Sequence, residues 1–172
     1  VLLHAWLEWG DECVKHFNGM WAFILYDART NQVFASRDRA GVKPFYYFHQ
    51  DGVFAFASEQ KALLGLPYLK TGINKKAAAE FLAGDIQYLE RGEENLFSQI
   101  YELPPARNFR INLGTGTLQS KSYYVLPVHP SNGNYNEQDF ENYRRETERK
   151  IVDSVRLRLR SDVPVGSCLS GG

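Results

Sequence analysis

Apolar and polar positions divide the chain into two parts with a polar segment between them. In residues 1–126, short apolar runs alternate with turn residues, a pattern typical of antiparallel strands. Pro, Ser, Asn and Gly dominate residues 127–136, which predicts a linker between two domains. Residues 137–172 begin with a long amphipathic pattern of helical period, so we expect a second domain to start there.

The pattern in the first part predicts an opening helix, a meander of strands and two short helices. Helical spacing of apolar residues covers 3–14, and strand-like runs cover 21–26, 32–37, 42–48, 53–58, 108–113 and 118–125. An Asp-Gly pair at 51–52, between two aromatic runs, indicates a β-hairpin. Ser58 is the expected N-cap of a helix that ends at Leu64, and Asn74 is that of a helix that runs to Gly84.

The second part predicts one long helix followed by one buried strand. The apolar positions of the helix form a single stripe: Phe140, Tyr143, Thr147, Ile151, Val155 and Leu159. Asp162 and Pro164 are expected to end the helix. The apolar run 163–169 then predicts a buried strand, and Ser-Gly-Gly follows it.

The order helix, strand, Ser-Gly-Gly is what a nucleotide-binding α/β domain needs at its first loop. Glycine lets backbone N–H groups approach a phosphate closely, and a serine hydroxyl adds one more donor. The pattern is therefore compatible with a phosphate-binding loop at Ser170, Gly171 and Gly172. Taken alone, these three residues favour a plain turn.

Composition gives no sign of a polyanionic or membrane partner. The 172 residues include 20 basic and 20 acidic side chains, so no net charge draws the chain to nucleic acid or to an anionic membrane. Its apolar runs fall far short of the ~20 residues of a membrane helix. Cys13 and Cys168 fit neither a disulfide framework nor a zinc site, which favours a reducing, cytoplasmic location.

Residues 155–172 resemble the start of the ATP-binding domain of the asparagine synthetase family. The shared pattern is a helix ending in basic residues, then Ser-Asp-Val-Pro-x-Gly, a few apolar residues and Ser-Gly-Gly. The resemblance implies a pyrophosphatase-type ATP loop at Ser170, Gly171 and Gly172. It also implies that Leu169 lies against the nucleotide.

Further motifs resemble the glutaminase domain of the same family and follow its order. They cover residues 17–27, 37–47, 56–63 and 100–105. After the last of them, Ala106 stands where the family has Gly, and Ala tolerates a positive φ poorly. The resemblance extends over nearly the whole chain.

The fold that this resemblance implies is α+β. Residues 1–126 are expected to be the C-terminal part of a type 2 glutamine amidotransferase domain, which has the αββα sandwich of N-terminal-nucleophile enzymes. Residues 137–172 are expected to be the first helix and strand of an α/β synthetase domain with a pyrophosphatase-type loop.

The implied function is part of a glutamine-hydrolysing asparagine synthase that uses glutamine, aspartate and ATP with Mg²⁺. Glutamine is hydrolysed in one domain, aspartate is activated as β-aspartyl-AMP in the other, and ammonia passes between them. The family's nucleophile is an N-terminal cysteine. This chain instead starts at Val1, with neither Met nor a signal-peptide pattern, and Cys13 fits a structural thiol. We therefore expect no glutaminase catalytic residue here and no activity of the chain by itself.

Two pairs of charged residues also stand out. Arg37 and Asp38 look like site residues, although a buried or half-buried ion pair between them that holds the strands together is the favoured interpretation. Glu59 and Lys61 are expected at an exposed helix start. Unpaired sheet edges are expected to favour association with a second copy, which leaves a homo-oligomer open.

Three other functions stay open at this point. A related amidotransferase of the same architecture would make a β-lactam or amidate a cell-surface precursor, and so act on another carboxylate. A degenerate relative would serve only as a binding or regulatory module. An unrelated α+β protein would require four ordered motifs to coincide by chance.

Overall fold

The computed structural model describes residues 1–84, 95–128 and 136–167. The chain divides into two units, Val1–Leu126 and Pro127–Gly172.

The first unit contains helices and strands in the mixed order that the sequence predicts. The helices are α1 Leu2–Trp9, α2 Gln60–Leu64 and α3 Lys75–Ala83, with a 3-10 helix Gly10–His16 directly after α1. The strands are β1 Ala22–Asp27, β2 Gln32–Arg37, β3 Tyr46–Gln50, β4 Val53–Ala57, β5 Tyr101–Glu102, β6 Arg107–Asn112 and β7 Leu118–Ser122.

These strands form two antiparallel sheets. One sheet has the order β1-β2-β6-β7 and the other the order β4-β3-β5. The predicted hairpin is confirmed, since β3 pairs with β4 across Asp51 and Gly52. Both turn residues have positive φ, 52° and 74°, as a two-residue turn matched to the strand twist requires.

The core lies between the two sheets because side chains alternate along each strand. From the four-stranded sheet it receives Val33, Ala35, Phe109 and Ile111, and from the region of the three-stranded sheet Phe45, Tyr47 and Leu103. Phe109 makes edge-to-face contacts with Phe45 and Phe54 at 5.6 and 5.5 Å between ring centroids. Aromatic pairs of this geometry add to the stabilisation that comes from buried area alone.

Helical segments cover the outward face of each sheet. Phe34 of β2 points away from the inter-sheet core and packs against Ala5, Cys13 and Val14 of α1 and the 3-10 helix. On the other side, Leu63 of α2 packs in a separate cluster with Phe48, Leu69 and Ile100. The first unit is therefore a mixed α/β structure in which both sheets have helices on their outer faces.

The second unit contains α4, Glu137–Arg158. Asn136 caps the helix, with its side-chain oxygen accepting from the backbone N–H of Gln138 at 2.9 Å. The predicted amphipathic helix is thus confirmed, and its apolar stripe is exposed. No described helix is long and apolar enough to cross a membrane.

Several element boundaries in the first unit differ from the prediction, two of them by four residues or more. The opening α-helix stops at Trp9 rather than continuing to Val14, because Gly10 adopts a left-handed φ of 56° and a 3-10 helix follows. The third strand begins at Tyr46 rather than Val42. The N–H of Val42 donates to the Asp38 side chain instead of to a neighbouring strand.

Other predictions need smaller corrections. Ser58 is not the N-cap of α2, since Glu59 holds that position without a side-chain cap hydrogen bond. Asn74 does cap α3, accepting from the N–H of Ala77 at 3.3 Å. The strand Tyr101–Glu102 was not predicted, because two residues are too few to show an alternating pattern. The last strand ends at Ser122 rather than at 125.

The predicted strand at 163–169 is wrong over its described part. Residues 163–167 form neither helix nor strand, and Val163 and Val165 are 68% and 51% exposed. A strand needs a neighbour for its backbone N–H and C=O groups, and no described segment pairs with this one. Apolar composition alone therefore predicted a strand that residues 163–167 do not form.

Ala106 adopts a left-handed backbone conformation, although the replacement of Gly by Ala argued against that turn geometry. Its φ is 58°. Its N–H donates to the Asp38 carbonyl at 2.9 Å, and its own carbonyl accepts from the N–H of Tyr123 at 3.0 Å. The surrounding hydrogen bonds thus hold an L-residue in a conformation that costs it roughly 1 kcal/mol or more.

We expect Ala106→Gly to stabilise the first unit by about 0.5–1 kcal/mol, because relief of left-handed strain exceeds the entropy cost of glycine. Urea denaturation measures the change. The matched control is Ala35→Gly, at a fully buried strand position without positive φ, which should destabilise by about 1 kcal/mol or more. If both variants changed the free energy of unfolding in the same direction, the assignment of strain to Ala106 would be contradicted.

Candidate functional site

The predicted ATP loop, Leu169, Ser170, Gly171 and Gly172, lies outside the described residues. The segment that leads to it is described as far as residue 167. There α4 ends with Arg156 and Arg158 in its last turn, where cations interact favourably with the helix dipole. The role of the four loop residues therefore stays a prediction.

In the first unit, the Arg37 guanidinium is a buried and heavily hydrogen-bonded charged group. It is 3% exposed and donates to the carbonyl oxygens of Gly41, Lys43 and Leu103, each at 2.7 Å. It also forms an ion pair with Glu102, with 2.6 Å between Nη1 and Oε1. Such charge-assisted bonds compensate for the desolvation of a buried charge only when its donors are satisfied, as they are here.

Asp38 is buried next to Arg37 but does not pair with it. Its carboxylate accepts from the backbone N–H groups of Ala40, Val42 and Lys43 at 3.0–3.1 Å and from that of Trp21 at 3.2 Å. The predicted Arg37–Asp38 ion pair is therefore wrong. The prediction that both residues are buried and hold the meander together is confirmed.

The two side chains fix one loop from opposite sides. The Asp38 carboxylate accepts from the N–H groups of Ala40, Val42 and Lys43, while Arg37 donates to the carbonyls of Gly41 and Lys43. Gly41 has φ 66°, and a Cβ there would lie 2.7 Å from Cγ of Pro105 and 3.2 Å from Cζ of Arg37. Only glycine fits this position without displacement of its neighbours.

Backbone donors control the ionisation of Asp38. Burial raises its pKa, but the four N–H groups lower it more, so its pKa lies below the usual value of 3.8. Nearby, burial raises the pKa of Tyr123 well above 10.0, and its protonated hydroxyl donates to the Arg37 carbonyl at 2.8 Å. Both groups thus keep the protonation state that their hydrogen bonds require.

The loop forms one wall of a surface depression of about 510 Å³ at one end of the two sheets. Its lining is Met20, Trp21, Ala22, Lys43, Pro44 and Ser58. Asp38 connects both sides of this depression, because it accepts from Trp21 and from Lys43. The Lys43 ammonium and the Ser58 hydroxyl supply hydrogen-bond donors beside apolar groups, a combination that suits a small polar molecule.

The described residues contain no group of three or more His, Cys, Asp or Glu side chains that could hold a metal ion. Cys13 is fully buried, and burial is the main reason that its pKa is raised. A protonated, enclosed thiol is a poor nucleophile, in agreement with the structural role predicted for it. Glu59 and Lys61 lie exposed at the start of α2, as predicted, and they form an ion pair with each other.

Sequence reasoning missed Glu102 as the partner of Arg37. The two residues are far apart along the chain and meet because β5 lies beside β3. An isolated acid between apolar residues, as in Tyr-Glu-Leu-Pro-Pro, is the signal that could have indicated a buried charge partner.

Comparison with protein families decides the assignment of the first unit. Residues 1–124 match the family described as the glutamine amidotransferase domain. The chain belongs to this family. Residues 146–172 also match the family described as asparagine synthase.

Relatives of this amidotransferase family match the whole chain. Asparagine synthetase (glutamine-hydrolyzing) 3 of Bacillus subtilis is 35% identical over 173 residues, and the match covers 26% of that protein. Asparagine synthetase (glutamine-hydrolyzing) 2 of the same organism is 33% identical, with 23% of it covered. Amidase chyE of Penicillium rubens is 25% identical, with 24% covered. The chain thus spans about a quarter of the length of these relatives.

Asp38→Asn should destabilise the first unit by about 2–4 kcal/mol, because one acceptor oxygen is replaced by an NH₂ group that faces backbone donors. The stability that Asp38 contributes is full above about pH 4 and is lost as the pH falls through the lowered pKa of the folded state. Urea denaturation between about pH 3 and 7 measures both effects. Asp51→Asn, at the exposed hairpin turn, is the control. If the Asp38→Asn variant lost stability at low pH as steeply as the unchanged protein, the pH dependence could not be assigned to Asp38.

Gly41→Ala should cost about 2–4 kcal/mol, because a left-handed L-residue and a close contact with Pro105 add together. Gly52→Ala is the matched control, since Gly52 has a similar φ of 74° with open space around it, and should cost about 1 kcal/mol. Thermal and urea denaturation measure the difference. Similar costs for the two variants would mean that the close approach to Pro105 does not matter.

Proposed function

We propose that this chain is part of an ATP-dependent amidotransferase that converts aspartate and glutamine to asparagine and glutamate. The observation that carries the proposal is the order of the two family matches, glutamine amidotransferase at 1–124 and asparagine synthase at 146–172. Transfer of nitrogen from glutamine to a carboxylate requires two reactions: hydrolysis of the glutamine amide and activation of the carboxylate. The two matched families would supply both reactions on one polypeptide. The names of the Bacillus subtilis relatives support the same conclusion.

The proposed domain organisation assigns residues 1–126 to the C-terminal part of the glutaminase domain. Two face-to-face antiparallel sheets with helices on their outer faces support an αββα sandwich of the N-terminal-nucleophile type. Residues 127–136 are the proposed linker. Residues 137–172 are the proposed start of the synthetase domain, with α4 as its first helix.

The proposed nucleotide site consists of Leu169, Ser170, Gly171 and Gly172. Backbone N–H groups of the two glycines and the Ser170 hydroxyl would donate to phosphate oxygens, and Leu169 would contact the nucleotide. ATP with Mg²⁺ would supply the adenylyl group that activates the aspartate side-chain carboxylate as β-aspartyl-AMP, with pyrophosphate as the leaving group. Ammonia released from glutamine then displaces AMP to form the amide.

In this proposal Arg37, Asp38 and Glu102 are structural rather than catalytic. All three side chains are buried, and their charged groups are bonded to backbone and side-chain groups of the protein itself. Their task is to hold the loop 38–44 and the depression beside it in one shape. The depression presents the Lys43 ammonium and the Ser58 hydroxyl to a small polar molecule.

A second candidate is an amidotransferase of the same architecture that acts on a different carboxylate. The observation in its favour is the match over the whole chain to a relative named as an amidase. The described residues include no group that would select one acceptor over another. A panel of carboxylates offered to the complete protein, with ATP and glutamine, separates the two candidates through the acceptor that becomes amidated.

Substitution in the proposed ATP loop tests the function in the complete protein. We expect Gly171→Val to reduce aspartate-dependent pyrophosphate release by about 100-fold or more, because a side chain prevents backbone donors from reaching phosphate. Glutamine hydrolysis should stay within about 2-fold of the unchanged protein, since it takes place in the other domain.

The matched control is Gly72→Val, a glycine with open space around its Cβ position and no left-handed φ. It should leave both reactions unaltered. Full pyrophosphate release by Gly171→Val, or the absence of aspartate-dependent ATP consumption in the unchanged protein, would refute the proposal.

A further inference from the structure

Asn18 and Gly19 form the one Asn-Gly pair in the described part of the chain, between the 3-10 helix and β1. Both residues are exposed and belong to neither a helix nor a strand. Within residues 1–84, 95–128 and 136–167, no hydrogen bond involves the Asn18 side chain or the N–H of Gly19. The carboxamide of Asn18 is therefore free to turn toward the backbone nitrogen that follows it.

Gly19 removes the steric obstacle to contact between these two groups. A Cβ on Gly19 would meet no heavy atom within 4 Å apart from its chain neighbours, and the residue has φ 153°. A side chain at position 19 would shield the backbone nitrogen, whereas glycine leaves it open and rotates about its backbone bonds at low steric cost. The Gly19 nitrogen is thus accessible to Cγ of Asn18.

The residues on either side of the pair are held by the adjacent residues Asp38 and Arg39. The carbonyl of Phe17 accepts from Nη1 of Arg39 at 2.6 Å, and the N–H of Trp21 donates to the Asp38 carboxylate at 3.2 Å. The Arg39 guanidinium also lies over the Trp21 ring, 5.8 Å from its centroid. Residues 18–20 therefore connect two fixed points, and the length of their backbone matters to both.

From these observations we propose that Asn18 is a site of spontaneous deamidation. The Gly19 nitrogen attacks Cγ of Asn18, and a nitrogen–carbon bond forms while the Cγ–Nδ2 bond breaks. The proton of the Gly19 nitrogen leaves with the amino group as ammonia, which produces a five-membered succinimide. Water then opens the ring at either carbonyl, so residue 18 becomes aspartate or isoaspartate. The site does not depend on the proposed function.

Isoaspartate at position 18 changes the segment in two ways. It introduces a negative charge, and it routes the main chain through the former side chain, which adds one backbone atom between Phe17 and Trp21. Because Arg39 and Asp38 hold the two ends, the added atom displaces the Trp21 N–H from the Asp38 carboxylate. Trp21 lines the depression beside the loop 38–44, so the depression changes shape in molecules that have reacted.

Incubation of the complete, folded protein at mildly alkaline pH, followed by tryptic digestion and mass spectrometry, tests the proposal. Cleavage after Lys15 and Arg29 places Asn18 in the peptide 16–29, apart from the second Asn-Gly pair of the chain at 132–133. Asn31 is the internal control, since it is exposed at a turn and is followed by Gln rather than Gly. We expect replacement of NH₂ by OH at least about 10-fold faster at Asn18 than at Asn31.

Two variants separate the site from its consequence. Asn18→Gln should remove the mass change from the peptide 16–29, because its longer side chain cannot close a five-membered ring. Asn18→Asp carries the charge without the added backbone atom, so protein that contains isoaspartate should unfold at a lower urea concentration than this variant. Equal reaction rates at Asn18 and Asn31, or a peptide 16–29 without isoaspartate, would overturn the proposal. Equal urea midpoints would overturn the proposed displacement of Trp21.

Discussion

The arrangement of both sheets depends on one buried guanidinium. Arg37 ends β2 in the four-stranded sheet, yet its bonds go to Glu102 and Leu103 beside the three-stranded sheet and to the loop that leads into β3. A buried cation without these acceptors would be strongly destabilising, so the acceptors must come together whenever Arg37 is enclosed. The requirement links segments more than 60 residues apart. It therefore fixes the relative position of elements that apolar packing alone would leave free to slide.

Sequence patterns predicted this structure best where the deciding interactions are local. Asn74 as a cap and the hairpin turn at 51–52 depend on residues within four positions of each other, and both are confirmed. The Arg37–Asp38 pairing failed because the true partner, Glu102, comes from a distant strand. The apolar run at 163–167 failed because a strand is defined by its neighbour, which composition does not reveal.

The candidate sites also differ in whether their residues are neighbours along the chain. The ATP loop was inferred from a contiguous motif at Leu169–Gly172, which lies outside the described residues, and it remains a prediction that the family match at 146–172 supports. The depression beside the loop 38–44 shows no motif, because its lining comes from three segments that are separate along the chain. Only the three-dimensional arrangement brings the N–H groups of Trp21 and Lys43 to the same Asp38 carboxylate. Sequence patterns can thus indicate a site formed by consecutive residues, but not one formed by segments that meet only in the folded structure.

Because Cys13 is completely buried, the rate at which its thiol is modified reports how often the structure around it opens. An alkylating reagent can reach it only while the helical layer over Phe34 is detached from the sheet, and burial keeps the thiol protonated in the closed state. The speed of its modification therefore follows how often that layer lifts away.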